Sequence, residues 1–161
     1  MISRRHGVAA VRGWGAETTA PPYPPATWHA RTIGVRIAAR SQDLPTLRCL
    51  TETVCYIADF RVDEVCDLAI AVDEVAAALI SQAVESAVLA CDFDYDSARM
   101  HVTVTTDVTA PDAVDEHSFG WYAVSAITDF LSATVDPYDP LVGGYRVAVE
   151  FSRSRGEIDD D

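Results

Sequence analysis

Glu74 is the residue of this chain best placed to do chemistry. Ala71 and Ala78, one helical turn to either side, have side chains too small to crowd it, so the carboxylate has room beside it for a ligand. The competing reading is a glutamate that only solvates a helix edge, the ordinary fate of such a residue on an amphipathic helix. Composition removes other chemistries. All 12 basic residues are arginine, so there is no lysine for a Schiff base or a P-loop. Cys49, Cys55, Cys66 and Cys91 show neither Cys-x-x-Cys spacing nor an adjacent histidine, which gives a zinc site no support. Small buried thiols are the default reading, and a disulfide switch is the minority one.

The element that must position Glu74 is a helix over residues 62–85, a stretch without glycine or proline, with Asp63 as its N-cap and acids crowding its first half. Val65, Leu68, Val72, Val75 and Leu79 form one apolar stripe, which requires a sheet beneath it. Before it, Ile33, Val35 and Ile37 alternate in a strand over 30–40. Asp43 caps a helix with Pro45 in its first turn, and its stripe is Leu47, Leu50, Val54 and Ile57, with Arg48 and Glu52 on the far side.

After the Glu74 helix, 87–95 and 99–106 read as an antiparallel hairpin, and 107–117 as an acidic connection, either a lid or disordered. Ser118 caps a third helix that buries Phe119, Tyr122, Ala123, Ala126, Ile127 and Phe130; strands over 132–138 and 141–151 close the chain. The order β-α-α-β-β-α-β-β predicts an α+β protein, a two-layer α/β sandwich with helices on one face of an antiparallel-rich sheet.

A chain of 161 residues suits one domain, expected over 30–152 between a disordered tail at 1–29, with its Pro21-Pro22-Tyr23-Pro24-Pro25 run, and an acidic disordered tail at 153–161. No apolar run approaches membrane-spanning length, and Arg12 cuts short the only signal-like stretch, which points to the cytoplasm. The net charge of −13 opposes direct binding to nucleic acid or an anionic membrane and favours a basic protein partner.

The run Leu68-Ala69-Ile70-Ala71-Val72-Asp73-Glu74-Val75 resembles the N-box helix of the RsbW-like anti-sigma-factor serine kinases, in the superfamily of gyrase, histidine-kinase and MutL-type ATPases. The resemblance covers roughly residues 33–151, lies nearest the actinobacterial branch that restrains stress-type sigma factors, and implies the Bergerat, or histidine-kinase-like ATPase, fold. It implies that Glu74 takes the place of the general base, and Arg48 that of an arginine contacting both the sigma factor and its antagonist. Ser118-Phe119-Gly120-Trp121 is similar to the second glycine box at the nucleotide phosphates, and Gly143-Gly144 to the Gly-Thr turn before the last strand.

The departures from the family pattern fall on the nucleotide. Ala78 stands where the family has a magnesium-ligating asparagine, and it offers a hard cation no oxygen. The family's Asp-x-Gly-x-Gly segment, which reads adenine, matches Thr105-Thr106-Asp107-Val108-Thr109-Ala110, which has no glycine and keeps Asp107 as a displaced remnant. The resemblance therefore implies a degenerate nucleotide site at Asp107, Gly120 and Gly143, a vestigial general base at Glu74, no metal site, and ATP with magnesium only if that site still functions. The expected function is an anti-sigma factor that binds and sequesters a stress-response sigma factor, is released by a STAS-type anti-anti-sigma antagonist and forms a homodimer. The alternatives are an active serine protein kinase phosphorylating that antagonist, and an orphan protein-binding member of the fold.

Overall fold

Strict alternation along the strands decides the architecture. The computed structural model describes residues 31–156; the 1–29 tail with its proline run, and residues 157–161 of the acidic tail, lie outside the described residues. The chain runs β1 (Arg31–Ala38), a 3-10 turn (Ser41–Asp43), α1 (Leu44–Ile57), α2 (Val62–Ser81), β2 (Val88–Tyr95), β3 (Arg99–Val108), α3 (Phe119–Ile127), β4 (Phe130–Val135) and β5 (Tyr145–Ser154). The strands form one sheet in the order β1-β2-β3-β5-β4, with every neighbouring pair antiparallel.

Register places one apolar row straight across the sheet: Ile33 beside Phe93, Phe93 beside Val102, Val102 beside Phe151, Phe151 beside Leu131. A second row joins Val35, Cys91, Val104, Val149 and Ala133. These rows face the helices, whose Leu47, Val54, Val65, Leu68, Val72, Leu79 and Val124 complete one core. Gly34, Asp92, Thr103, Glu150 and Ser132 form a row on the opposite, helix-free face. The result is an α+β protein with two layers, compatible with the ATPase-like fold of the anti-sigma factors.

Several expected boundaries and faces need correction. Helix α2 ends at Ser81, not 85, because Ala83 bridges to Val108 and the Val84 N–H donates to the Asp107 carbonyl, drawing the chain into the sheet edge. Its N-cap is Arg61 rather than Asp63; the Glu64 side chain turns back and accepts the Arg61 N–H at 2.8 Å. In α1 the inward residues are Leu47, Thr51, Val54 and Cys55, while Leu50 and Ile57 are exposed. Thr51 can enter the core because its hydroxyl donates to the Leu47 carbonyl.

In α3 only Val124 is fully buried, with Trp121 and Ile127 packed against the core; Phe119 and Tyr122 face outward, and Phe130 belongs to β4. Strand β5 continues past the expected boundary at 152, and Arg153 there pairs with Asp67 of α2 at 3.1 Å. The acidic connection after β3 folds back so that Ala113 and Val114 pack against the core.

Packing also sorts the thiols. Cys55 and Cys91 are buried, and Cys49 and Cys66 are exposed. Burial, helped by the charge of Glu52, pushes the Cys55 thiol up to about 12. Burial, with Asp92 adding to it, drives Cys91 upward as well. Thiol titration of the native protein is expected to modify Cys49 and Cys66 quickly, and Cys55 and Cys91 only after unfolding. Equal rates at all four would contradict this packing.

Candidate functional site

Two local features bring α3 onto Glu74. Ser118, with extended backbone, caps α3 by accepting the Trp121 N–H on its hydroxyl oxygen at 3.2 Å, which fixes where the helix begins. Gly120 then lies so near α2 that a Cβ built on it would stand 2.9 Å from Glu74 Oε2. The first turn of α3 thus rests on the Glu74 carboxylate, with no side chain between them. Of the two alanines flanking Glu74, Ala71 is fully buried in the core and only Ala78 is exposed.

The adjacent acid faces α1. Asp73 pairs through Oδ2 with the guanidinium of Arg48 on α1, while its Oδ1 is shut off from solvent without a hydrogen-bond partner. Arg48 therefore does not simply project from the far side of α1; it spans the α1–α2 seam. Asp73 is the residue that sequence reasoning missed. Its one signal was that it adjoins Glu74, so that on a helix the two acids must serve different neighbours.

Asp107 is not brought to Glu74. It sits in β3 on the helix-free face, opposite Arg146 of β5, and accepts two hydrogen bonds from that guanidinium at 3.1 and 3.2 Å. The hydrogen bond to Asp107, then its charge, raises the Arg146 pKa. Gly143 stands in the turn before β5 with a positive φ of 69°, and Gly144 beside it packs against Val108 and Val84. Of the expected general base Glu74 and the expected nucleotide-site residues Asp107, Gly120 and Gly143, the geometry brings together Glu74 and Gly120; Asp107 and Gly143 are held by β3 and the β4–β5 turn.

These neighbours do not fit a magnesium-bound nucleotide. Ala78 presents a methyl group where a hard cation needs oxygen. Adenine recognition by Asp107 would require its carboxylate to leave Arg146. The arrangement holds the first turn of α3 against the Glu74 carboxylate.

His101 lies on the helix-free face. His101 and Phe130 stack over the small Ser152, their ring centroids 6.3 Å apart, with Glu150 Oε2 3.8 Å from the imidazole. Burial lowers the His101 pKa below its usual 6.5, against the opposing pull of Glu150 and Asp94 and with help from Arg99. The unfolded chain therefore takes up the proton first: this contribution is neutral above 6.5 and becomes destabilising as pH falls through that value toward the lower folded pKa. The urea midpoint is expected to drop between about pH 7.5 and about pH 5.5, and to drop less in His101→Gln.

Comparison with known proteins adds an independent finding. Over 125 residues the chain is 32% identical to the anti-sigma-F factor RsbW of Mycobacterium tuberculosis, a match covering 78% of this chain and 74% of that relative, with the same figures in two strains. No protein-family profile matches the chain. None of the described helices is long and apolar enough to cross a membrane.

Proposed function

The chain belongs to the family of RsbW-type anti-sigma factors, and from that premise we propose that it binds and sequesters a stress-response sigma factor, its kinase activity weak or lost. The observation that carries this reading is the surface around Glu74. The carboxylate is flanked by the Ala78 methyl and the Gly120 backbone, while Ile70, Phe119 and Tyr122 on the same two helices are 45, 89 and 59% exposed. Exposed apolar side chains of that size suit a protein partner. The charge of −13 suits basic partner surfaces and would speed encounter with them. A STAS-type antagonist would release the sigma factor by competing for this surface, and a homodimer is the assembly the family reading implies.

Calorimetry with purified sigma factors from the same cell is the test, and a complex with one of them is the expected result. Absence of binding by all of them would end the reading. A fluorescent ATP analogue with magnesium is expected to show no saturable binding at micromolar concentration. Micromolar binding together with phosphotransfer that Glu74→Ala abolishes would establish instead the active serine kinase.

A further inference from the structure

We infer that Asp73 is a positioning residue of the partner surface, holding Arg48 on α1 so that the free edge of its guanidinium is presented outward; the inference rests on the sequestration reading above. Arg48 is 52% exposed in its side chain and Asp73 22%, so the pair lies at the mouth of the α1–α2 seam rather than in open solvent. A guanidinium carries five N–H donors, and the pairing with Asp73 occupies one side of it. The other donors remain available to an acceptor on a partner, a carboxylate or a main-chain carbonyl.

The two residues depend on each other unequally. Asp73 Oδ1 is buried with no donor, and the carboxylate is ion-paired to Arg48 through Oδ2. Drawing Arg48 away would strand a half-buried charge, which costs far more than breaking an exposed pair. A partner is therefore expected to bind Arg48 in place on Asp73 rather than pull it off. A long arginine side chain ordered in advance loses less rotamer freedom on binding, and this saving is what Asp73 supplies.

The Asp73 effect must pass through Arg48, and that is what the experiment reads. With the sigma factor that binds in the calorimetric panel, Asp73→Asn is expected to weaken binding about tenfold and Arg48→Ala about thirtyfold. The double variant is expected to bind no more weakly than Arg48→Ala alone. Wild-type affinity in Asp73→Asn, or an undiminished further loss when it is added to Arg48→Ala, would overturn the inference. If the wild-type chain binds no sigma factor, the sequestration reading fails and the inference falls with it, an outcome distinct from the other two.

A partner-free measurement keeps the idea testable even if Asp73→Asn does not fold. In the wild-type chain the Arg48 Nε–H resonance, identified by its loss in Arg48→Lys, is expected to relax like an ordered backbone amide. Relaxation like that of a freely moving surface arginine would overturn the inference.

Discussion

Phe151→Ala is expected to destabilise the protein by about 3–5 kcal/mol, a large part of the roughly 5–15 kcal/mol that holds a domain together. Phe151 is fully buried in β5, where Val102 of β3 and Leu131 of β4 flank it in register. Truncation would therefore open a cavity in the middle of the row that crosses the whole sheet beneath the helices. Two residues on, the same strand carries Arg153, whose ion pair with Asp67 ties it to α2, so the helix bearing Asp73 and Glu74 would lose its seat. The check is urea unfolding, with the midpoint lowered and the slope unchanged. Phe119→Ala is the contrast: at 89% exposure it is expected to change stability by no more than about 0.5 kcal/mol.

That contrast shows where the sequence was legible. The strands of a one-sided sheet bury every second residue, so β2 and β3 could be read within two residues of their ends from Leu89, Cys91 and Phe93 and from Met100, Val102 and Val104. Helix α3 has only nine residues, and a little over two turns do not fix a period. Its orientation comes instead from the approach of Gly120 to Glu74, which turns Val124 inward and leaves Phe119 outside. The end of α2 was misread for a related reason. No local residue stops the helix at Ser81; the bridge from Ala83 to Val108 on a distant strand does.

The candidate site divides along the same line. The positions of Glu74 and Gly120 were readable because each lies at the start or on the face of a single helix, and the Ser118 cap that fixes where α3 begins is itself local. Asp107 was misplaced because its orientation is set by Arg146, 39 residues away, through register that sequence alone does not specify. Arg48 was placed on the correct helix, but its ion pair with Asp73 exists only once α1 and α2 are packed together. Local signals fixed positions along the elements. Charges that meet across elements required the tertiary structure.

Gly144→Ala is expected to cost about 2–3 kcal/mol, by overpacking rather than by strain in the turn itself. A Cβ at this position would stand 2.5 Å from the Val108 carbonyl oxygen and 2.7 Å from Val84 Cγ1. The carbonyl cannot yield easily: Val108 ends β3 opposite Tyr145 and bridges to Ala83, so moving it would unpair the segment that closes α2 against the sheet. Gly143 next to it separates the two causes. Its φ is 69° but a Cβ there would meet nothing within 4 Å. Gly143→Ala should therefore cost only about 1–2 kcal/mol of left-handed backbone penalty, and Gly143→Asn less, since asparagine tolerates that conformation. Urea midpoints that fall in the order Gly144→Ala, Gly143→Ala, Gly143→Asn, with the largest loss first, would assign Gly144 to close packing and Gly143 to backbone conformation. Equal losses for the two alanine variants would refute the contact with Val108 as the cause.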